Sequence, residues 1–277
     1  MSSHPLRLSP HPPGTTARLT DAEARLPEQT EVDKDDLEKK LDELTDRLDR
    51  LQRRLYAEGR RALLVVLQGR DASGKDGTLR KVFGPLDPLG APATSFKAPT
   101  EEERRHDFLW RVHRAVPGHG TIGLFNRSHY EDVLVVRVRK LAPEAVWRPR
   151  YEQINQFERM LVENGTVILK FFLHLSREEQ RERLLARLED PEKYWKFNAN
   201  DLAERALWDE YTEAYREVLA RTSTEIAPWY VVPADNKRVR DVLVAGTVVE
   251  ALELMSPQWP GPPPELEALR AALTPER

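Results

Sequence analysis

The chain has 277 residues with 43 Lys and Arg against 46 Asp and Glu, a formal charge of −3, so no whole-molecule field draws nucleic acid or an anionic membrane to it and any polyanion site must be local. Cysteine is absent, which excludes a disulfide framework, Cys-ligated zinc, an iron–sulfur cluster and thiolate catalysis. With 40% hydrophobic residues, no signal-like apolar core near the start and no apolar run of about 18 residues, the expectation is a soluble cytoplasmic protein with neither nucleic acid nor membrane as partner.

Residues 1–32 carry prolines at 5, 10, 12, 13 and 27 among small polar residues, and are expected to form a flexible N-terminal arm. From Leu37 the leucines fall at 37, 41, 44, 48, 51 and 55, alternating steps of four and three that place them on one face of a helix of roughly 25 residues. That stripe suits either a short coiled coil between two chains or a helix lying on its own domain. ALLVVLQ at 62–68 is a continuous apolar run of strand length, as expected for a strand buried on both faces. TIGLF at 121–125, TVILKFFLHL at 166–175 and WYVV at 229–232 have the same character, and TSFKA at 94–98 is a shorter candidate. Helix-period segments at about 75–83, 101–116, 143–164, 176–188, 200–221 and 236–255 lie between or after them. The alternation predicts an α/β fold, a doubly wound parallel sheet of about five strands with right-handed crossovers and an N-terminal helix. The Pro-rich stretch from 256 to 277 is expected to be a peripheral tail.

The strongest chemical signal is GRDASGKDGT at 69–78, which follows the first strand directly and opens a helix. Gly69, Gly74 and Gly77 permit backbone conformations in which successive N–H groups of Ala72, Ser73, Gly74 and Lys75 turn inward, the helix adds its N-terminal dipole, and Lys75 reaches a terminal phosphate oxygen. The bland alternative is a glycine-rich strand-to-helix turn with an exposed lysine. After GxxxxGK the motif holds Asp76 where Ser or Thr usually ligates Mg²⁺, and Thr78 comes two residues late. Asp71 and Asp76 would repel a bound polyphosphate unless a cation lies between, so both read as magnesium-positioning groups, with solvent-facing loop caps as the alternative.

The second signal is TIGLFNRSHYEDV at 121–133, a strand ending where a P-loop protein places an acidic, metal-facing group. Asn126 occupies that position. Arg127 follows at the carboxyl edge of the sheet, suited to neutralising charge on a transferring phosphoryl group, and Glu131 or Asp132 can join the magnesium shell or hold the acceptor. An ordinary helical ion pair between Arg127 and Glu131 is the alternative.

GRDASGKDGT, FNRSHYEDV and DPEKYWKF at 190–197 together resemble the family-2 polyphosphate kinases, in that order, over roughly residues 33–255. The resemblance implies a thymidylate-kinase-like, P-loop kinase-like fold with a helical lid at about 176–210, within a domain spanning 33–255, and Mg²⁺-dependent transfer of the terminal phosphoryl group of inorganic polyphosphate to AMP and ADP, the class III pattern, giving ADP and ATP. It further implies a homo-oligomer, dimer or tetramer. Residue by residue it places the phosphate cradle on Gly74, Lys75, Gly77 and Thr78, magnesium on Asp71 and Asp76 with Glu131, catalysis on Asp71, Lys75 and Arg127, and acceptor discrimination on Glu131 and Asn126. Asn126 departs from the usual Asp and removes one carboxylate from the expected metal shell. In the lid, Arg187 and Lys193 are the expected phosphate contacts, with Lys196 and Trp195 beside them. Residues 104–150 add ten Lys or Arg against four acids, a basic stretch able to track an extended phosphate chain. Two other readings remain open: an ATP-dependent nucleotide kinase on the same fold, and a noncatalytic protein that binds nucleotide or polyphosphate.

Overall fold

The computed structural model describes residues 6–27 and 30–274; residues 1–5, 28, 29 and 275–277 lie outside them, and with them the ends of the expected arm and tail. Five strands, β1 (Ala62–Gln68), β2 (Ala93–Ser95), β3 (Ile122–Asn126), β4 (Thr166–His174) and β5 (Trp229–Pro233), form one sheet in the order β2-β3-β1-β4-β5. Every pairing is parallel. β1 lies at the centre, with Leu67 level with Asn126 of β3 and with Phe171 of β4, so the carboxyl ends of β1 and β3 finish side by side. Because chain order reverses at β1, a crevice opens above that point, where open α/β sheets bind ligands.

The unbroken apolar run of β1 serves two cores. Leu63, Val65 and Leu67 face one layer, formed by the N-terminal helix Lys34–Glu58 and the helix Lys237–Met255. Leu64 and Val66 face the other, with Phe125, Ile154, Phe172 and Trp229. Leu37, Leu44, Leu48, Leu51 and Leu55 are buried in the first core, which settles the leucine stripe as an intramolecular packing face and not a coiled-coil seam. Asp33 caps that helix by accepting from the Asp35 and Asp36 N–H groups, and Gly59 ends it at φ +63°, a conformation that favours glycine.

Several helical stretches are shorter than their periodicity suggests. The 101–116 segment is two single turns, Glu101–Arg104 and Trp110–His113, because the Asp107 carboxylate accepts from the Leu109 N–H (3.0 Å) and supplies a local turn in between. Pro149 separates Glu144–Trp147 from Arg150–Glu163, where its missing N–H costs nothing at a helix start. Leu207 separates Ala199–Ala206 from Trp208–Thr222. The four-residue turn Val135–Val138 has no counterpart in the sequence reading.

The described part of the N-terminal arm is docked, contrary to its composition. The His11 N–H donates to the Trp229 carbonyl (2.7 Å), the Ser223 hydroxyl to the His11 carbonyl (2.6 Å), and the Asp235 N–H to the Ala24 carbonyl (3.1 Å). Leu19 and Ala24 are buried. The reason is the exposed edge of β5: an extended, proline-containing segment covers it without needing a regular ladder. The tail is peripheral, its helix Leu266–Leu273 burying no residue. Among the described residues no helix is long and apolar enough to cross a membrane.

Candidate active site

The chain leaves β1 through Gly69, where an added Cβ would lie 2.9 Å from the Leu173 carbonyl, and turns through Ala72 at φ +65° and Gly74 at φ +101° into the helix that starts at Lys75. A Cβ at Gly74 would fall on the Arg240 guanidinium, so glycine is required there twice over, by conformation and by space. Lys75 is buried, its ammonium donating to the carbonyls of Gly69 (2.7 Å) and Arg70 (3.1 Å) across the loop. Burial, together with the neighbouring Arg127 charge, pushes its pKa down to about 8.

Opposite the loop stands the end of β3. Arg127, at φ +61°, donates to Asp71 (2.6 Å) and to Glu131 (3.3 Å), and Asn126 donates to Asp76 (2.6 Å). The charges of Glu131 and Asp71 outweigh partial burial and raise the Arg127 pKa above its ordinary value, so this group is a fixed cation. Five residues singled out from two distant motifs, Asp71, Asp76, Asn126, Arg127 and Glu131, thus meet beside Lys75.

They line a cleft of about 1460 Å³ that runs from the loop residues Ala72, Gly74 and Gly77 to the lid and to Lys97, Arg111 and Arg150 on the far wall. Thirteen Lys or Arg and eight Asp or Glu line it, a positive excess on a protein whose overall charge is −3. Arg187 and Lys193 both reach the lining; Arg187 is paired with Asp201 (3.4 Å) and Lys193 with Asp190 (2.5 Å).

The family model described as Polyphosphate kinase 2 matches residues 31–260. The chain belongs to the polyphosphate kinase 2 family. It is 56% identical over 208 residues to an AMP/ADP-polyphosphate phosphotransferase of Meiothermus ruber, covering 75% of this chain and 78% of the relative. It is 48% identical over 218 residues to an ADP-polyphosphate phosphotransferase of Rhodopseudomonas palustris, covering 74% and 75%. A crystal structure of polyphosphate kinase 2 from Arthrobacter aurescens superposes with a TM-score of 0.87 at 44% identity, over 90% of each chain.

In this family member two arginines, Arg240 buried and Arg183 half-buried, neither singled out as a loop-holding group from the sequence, fix the loop. Arg183 donates to the carbonyls of Ala72 (3.0 Å), Ser73 (3.3 Å), Ala234 (2.7 Å) and Asp235 (2.7 Å). Arg240, paired with Asp241 (2.8 Å), lies against Gly74 and reaches the Ser73 carbonyl (3.4 Å). These contacts fix the Ala72 and Ser73 carbonyls of the loop. Arg240 sits in a helix whose periodicity reads as core, and nothing local marks it out.

Other expected contacts differ. Thr78 is fully buried, with its N–H in the helix bond to the Gly74 carbonyl and its hydroxyl donating to Asp241 (3.1 Å), so it braces the loop from beneath and does not line the cleft. Ser73 and Gly69 are likewise buried and absent from the lining of the large cleft. Asp71, Asp76 and Glu131 do not form one donor set: the Arg127 guanidinium lies between Asp71 and Glu131, and among the described residues no three His, Asp or Glu side chains gather as a metal site. Asp71 and Asp76, each engaged with the chain through a single oxygen, fit a cation of another kind, a Mg²⁺ shared with substrate phosphates that needs only one or two carboxylates.

Proposed function

We propose that this polyphosphate kinase 2 transfers the terminal phosphoryl group of inorganic polyphosphate to AMP and to ADP, forming ADP and ATP. The observation that carries the reading is the long cation-lined cleft entering directly on a glycine-rich loop with a buried lysine, in a chain 56% identical to a relative named for both acceptors. Polyphosphate lies along the cleft with its end on the N–H groups of Gly74 to Gly77, where the start of the helix adds its dipole. The Lys75 ammonium takes one oxygen of the terminal group, and Arg127 takes charge that builds on it as the bond to the next phosphate breaks. The acceptor phosphate enters from the side of Asn126 and Glu131 and attacks in line through an oxygen that is already anionic, so no general base is required. Such a transition state is loose, and the work of the chain is positioning and charge compensation. Asp71 and Asp76 would hold Mg²⁺, which would supply further charge neutralisation on the phosphates. Arg187 and Lys193 close over the donor from the lid, and their present partners Asp201 and Asp190 keep them placed until anionic substrate displaces the carboxylates. The protein acts in the cytoplasm as a homo-oligomer, a dimer or tetramer, whose interface is not the leucine stripe, since that face is buried within the chain.

The test is incubation of purified protein with Mg²⁺, long-chain polyphosphate and AMP or ADP, with products separated by chromatography. ATP from ADP and ADP from AMP are expected. Turnover with ATP as donor and none with polyphosphate overturns the proposal.

A further inference from the structure

Beneath the turn that carries Arg127 and Glu131 lies a charged cluster that the mechanism above does not use. Lys170, in the middle of β4, and Glu158, on the helix Arg150–Glu163, have 0% and 1% side-chain exposure and meet at 2.6 Å. Lys170 places its other two donors on the Tyr130 hydroxyl (2.9 Å) and the Thr222 carbonyl (2.7 Å). The Tyr130 hydroxyl donates to the second Glu158 oxygen (2.7 Å), and His129 Nε2 lies 3.1 Å from that same oxygen. Burial opposes ionisation of Glu158, yet the charge of Lys170 and the His129 and Lys170 hydrogen bonds outweigh it and hold the carboxyl below its usual range.

A buried ion pair seldom stabilises a core more than apolar residues of equal volume, and its better-attested use is to fix register. Here the register concerned is that of the turn. His129 and Tyr130 point down into the cluster, whereas Arg127 and Glu131, on either side of them in sequence, line the cleft. Gln68 Nε2 donates to the Ser128 hydroxyl oxygen (3.1 Å), which also accepts from the Tyr130 N–H (3.2 Å). Three consecutive residues are therefore tied from below. Arg127 is held at φ +61°, which a non-glycine residue keeps only where its surroundings over-determine it.

We propose that His129, Tyr130, Glu158 and Lys170 form a positioning device that sets where Arg127 and Glu131 stand in the cleft, and through them the preference between a nucleoside monophosphate and a nucleoside diphosphate acceptor. The inference rests on the phosphoryl-transfer reading given above. None of the four touches the cleft, so they act only through their neighbours in the turn.

Tyr130→Phe removes one hydroxyl and keeps the ring. In the full chain, with folding checked by circular dichroism, it is expected to shift the ratio of kcat/KM for AMP to that for ADP by about fivefold or more, the scale of one buried hydrogen bond, while KM for polyphosphate stays within about twofold. Loss of folded protein alone cannot move that ratio. Combined with Glu131→Gln, Tyr130→Phe is expected to add nothing to the ratio of Glu131→Gln alone, because both act at one place. An unchanged ratio in folded Tyr130→Phe, or a shift that multiplies with that of Glu131→Gln, overturns the inference. Should Tyr130→Phe fail to fold, Glu158→Gln paired with Lys170→Met removes both charges together and is read by the same ratio. Wild-type protein that uses ATP and not polyphosphate sinks the functional reading separately, and the acceptor ratio is then measured with unlabelled ATP as donor and isotopically labelled AMP or ADP as acceptor.

Discussion

Gly74→Ala puts the loop geometry at stake, because the structure gives two independent costs. At φ +101° and ψ 19° an L-residue with a Cβ is strained by about 1–2 kcal/mol. The new methyl also meets the Arg240 guanidinium, which is 3% exposed and committed to Asp241 and the Ser73 carbonyl. Driving it off good geometry with those partners costs roughly another 1–3 kcal/mol. The sum, about 2–5 kcal/mol, corresponds to a fall in Tm of about 4–10 °C for a domain of this size. Gly77→Ala is the internal control: Gly77 is helical, has no positive φ, and its Cβ would lie 3.3 Å from the Arg240 guanidinium, a contact relieved by a shift of a few tenths of an ångström. Gain in helix propensity of about 1 kcal/mol offsets that contact, so Tm is expected to move by only a few degrees. Thermal unfolding by circular dichroism, with tripolyphosphate binding by calorimetry, reads both variants. Gly74→Ala is expected to lose tripolyphosphate affinity along with stability, since a relaxed loop no longer aims its N–H groups. Equal Tm and equal affinity for the two variants would refute the reasoning.

Three further outcomes are expected. Because burial and Arg127 depress Lys75 to a pKa of about 8, the free protein at pH 8 carries the ammonium about half the time; an anion favours that form, so tripolyphosphate binding near pH 8 takes up protons, seen as a dependence of calorimetric enthalpy on the buffer. The uptake vanishes in Lys75→Met and fades below about pH 7, where the ammonium is already complete; uptake retained in Lys75→Met assigns the proton elsewhere. Thr78→Val leaves the buried Asp241 without one donor and is expected to cost about 1–3 kcal/mol in denaturant unfolding with kcat changed only a few-fold, whereas a selective loss of kcat at full stability would return Thr78 to the phosphate site. Arg183→Met frees four carbonyls and is expected to raise KM for polyphosphate by tenfold or more, about 1.4 kcal/mol, with KM for AMP changing less; the reverse split would detach Arg183 from the loop.

What could be read from sequence was what local pattern controls. The apolar run 62–68, its neighbours and the glycine spacing after it predicted the central strand, the parallel sheet and the loop, and the strands stand within a residue or two of their expected limits except the edge strand, expected at 94–98 and found at Ala93–Ser95. Asp71, Lys75, Asn126, Arg127 and Glu131 were likewise legible, because each sits at the carboxyl end of a strand that the pattern already located. What was missed depends on contacts far apart in the chain. Thr78 reads as a phosphate ligand until Asp241, 163 residues on, takes its hydroxyl. The arm reads as loose until the free edge of β5 and the neighbouring Ser223 and Asp235 give its backbone partners more than 200 residues away. Arg240 and Arg183 serve the loop from helices whose own periodicity does not say which carbonyls they reach. The breaks at Asp107 and Leu207 show the limit of helical period itself, which persists across a turn when both halves rest on the same surface.

The central claim is that Lys75, on this loop, holds the terminal phosphoryl group of polyphosphate as it passes to the acceptor nucleotide. Its most direct test is the initial rate of ADP formation from AMP and polyphosphate, with Mg²⁺ present, measured side by side for the wild-type chain and Lys75→Met. The account predicts turnover by the wild type and a loss of at least about a hundredfold in the variant, the scale of one removed charge-stabilising group. Comparable rates from the two proteins, or a wild type that forms ADP from AMP only when ATP replaces polyphosphate, would contradict it.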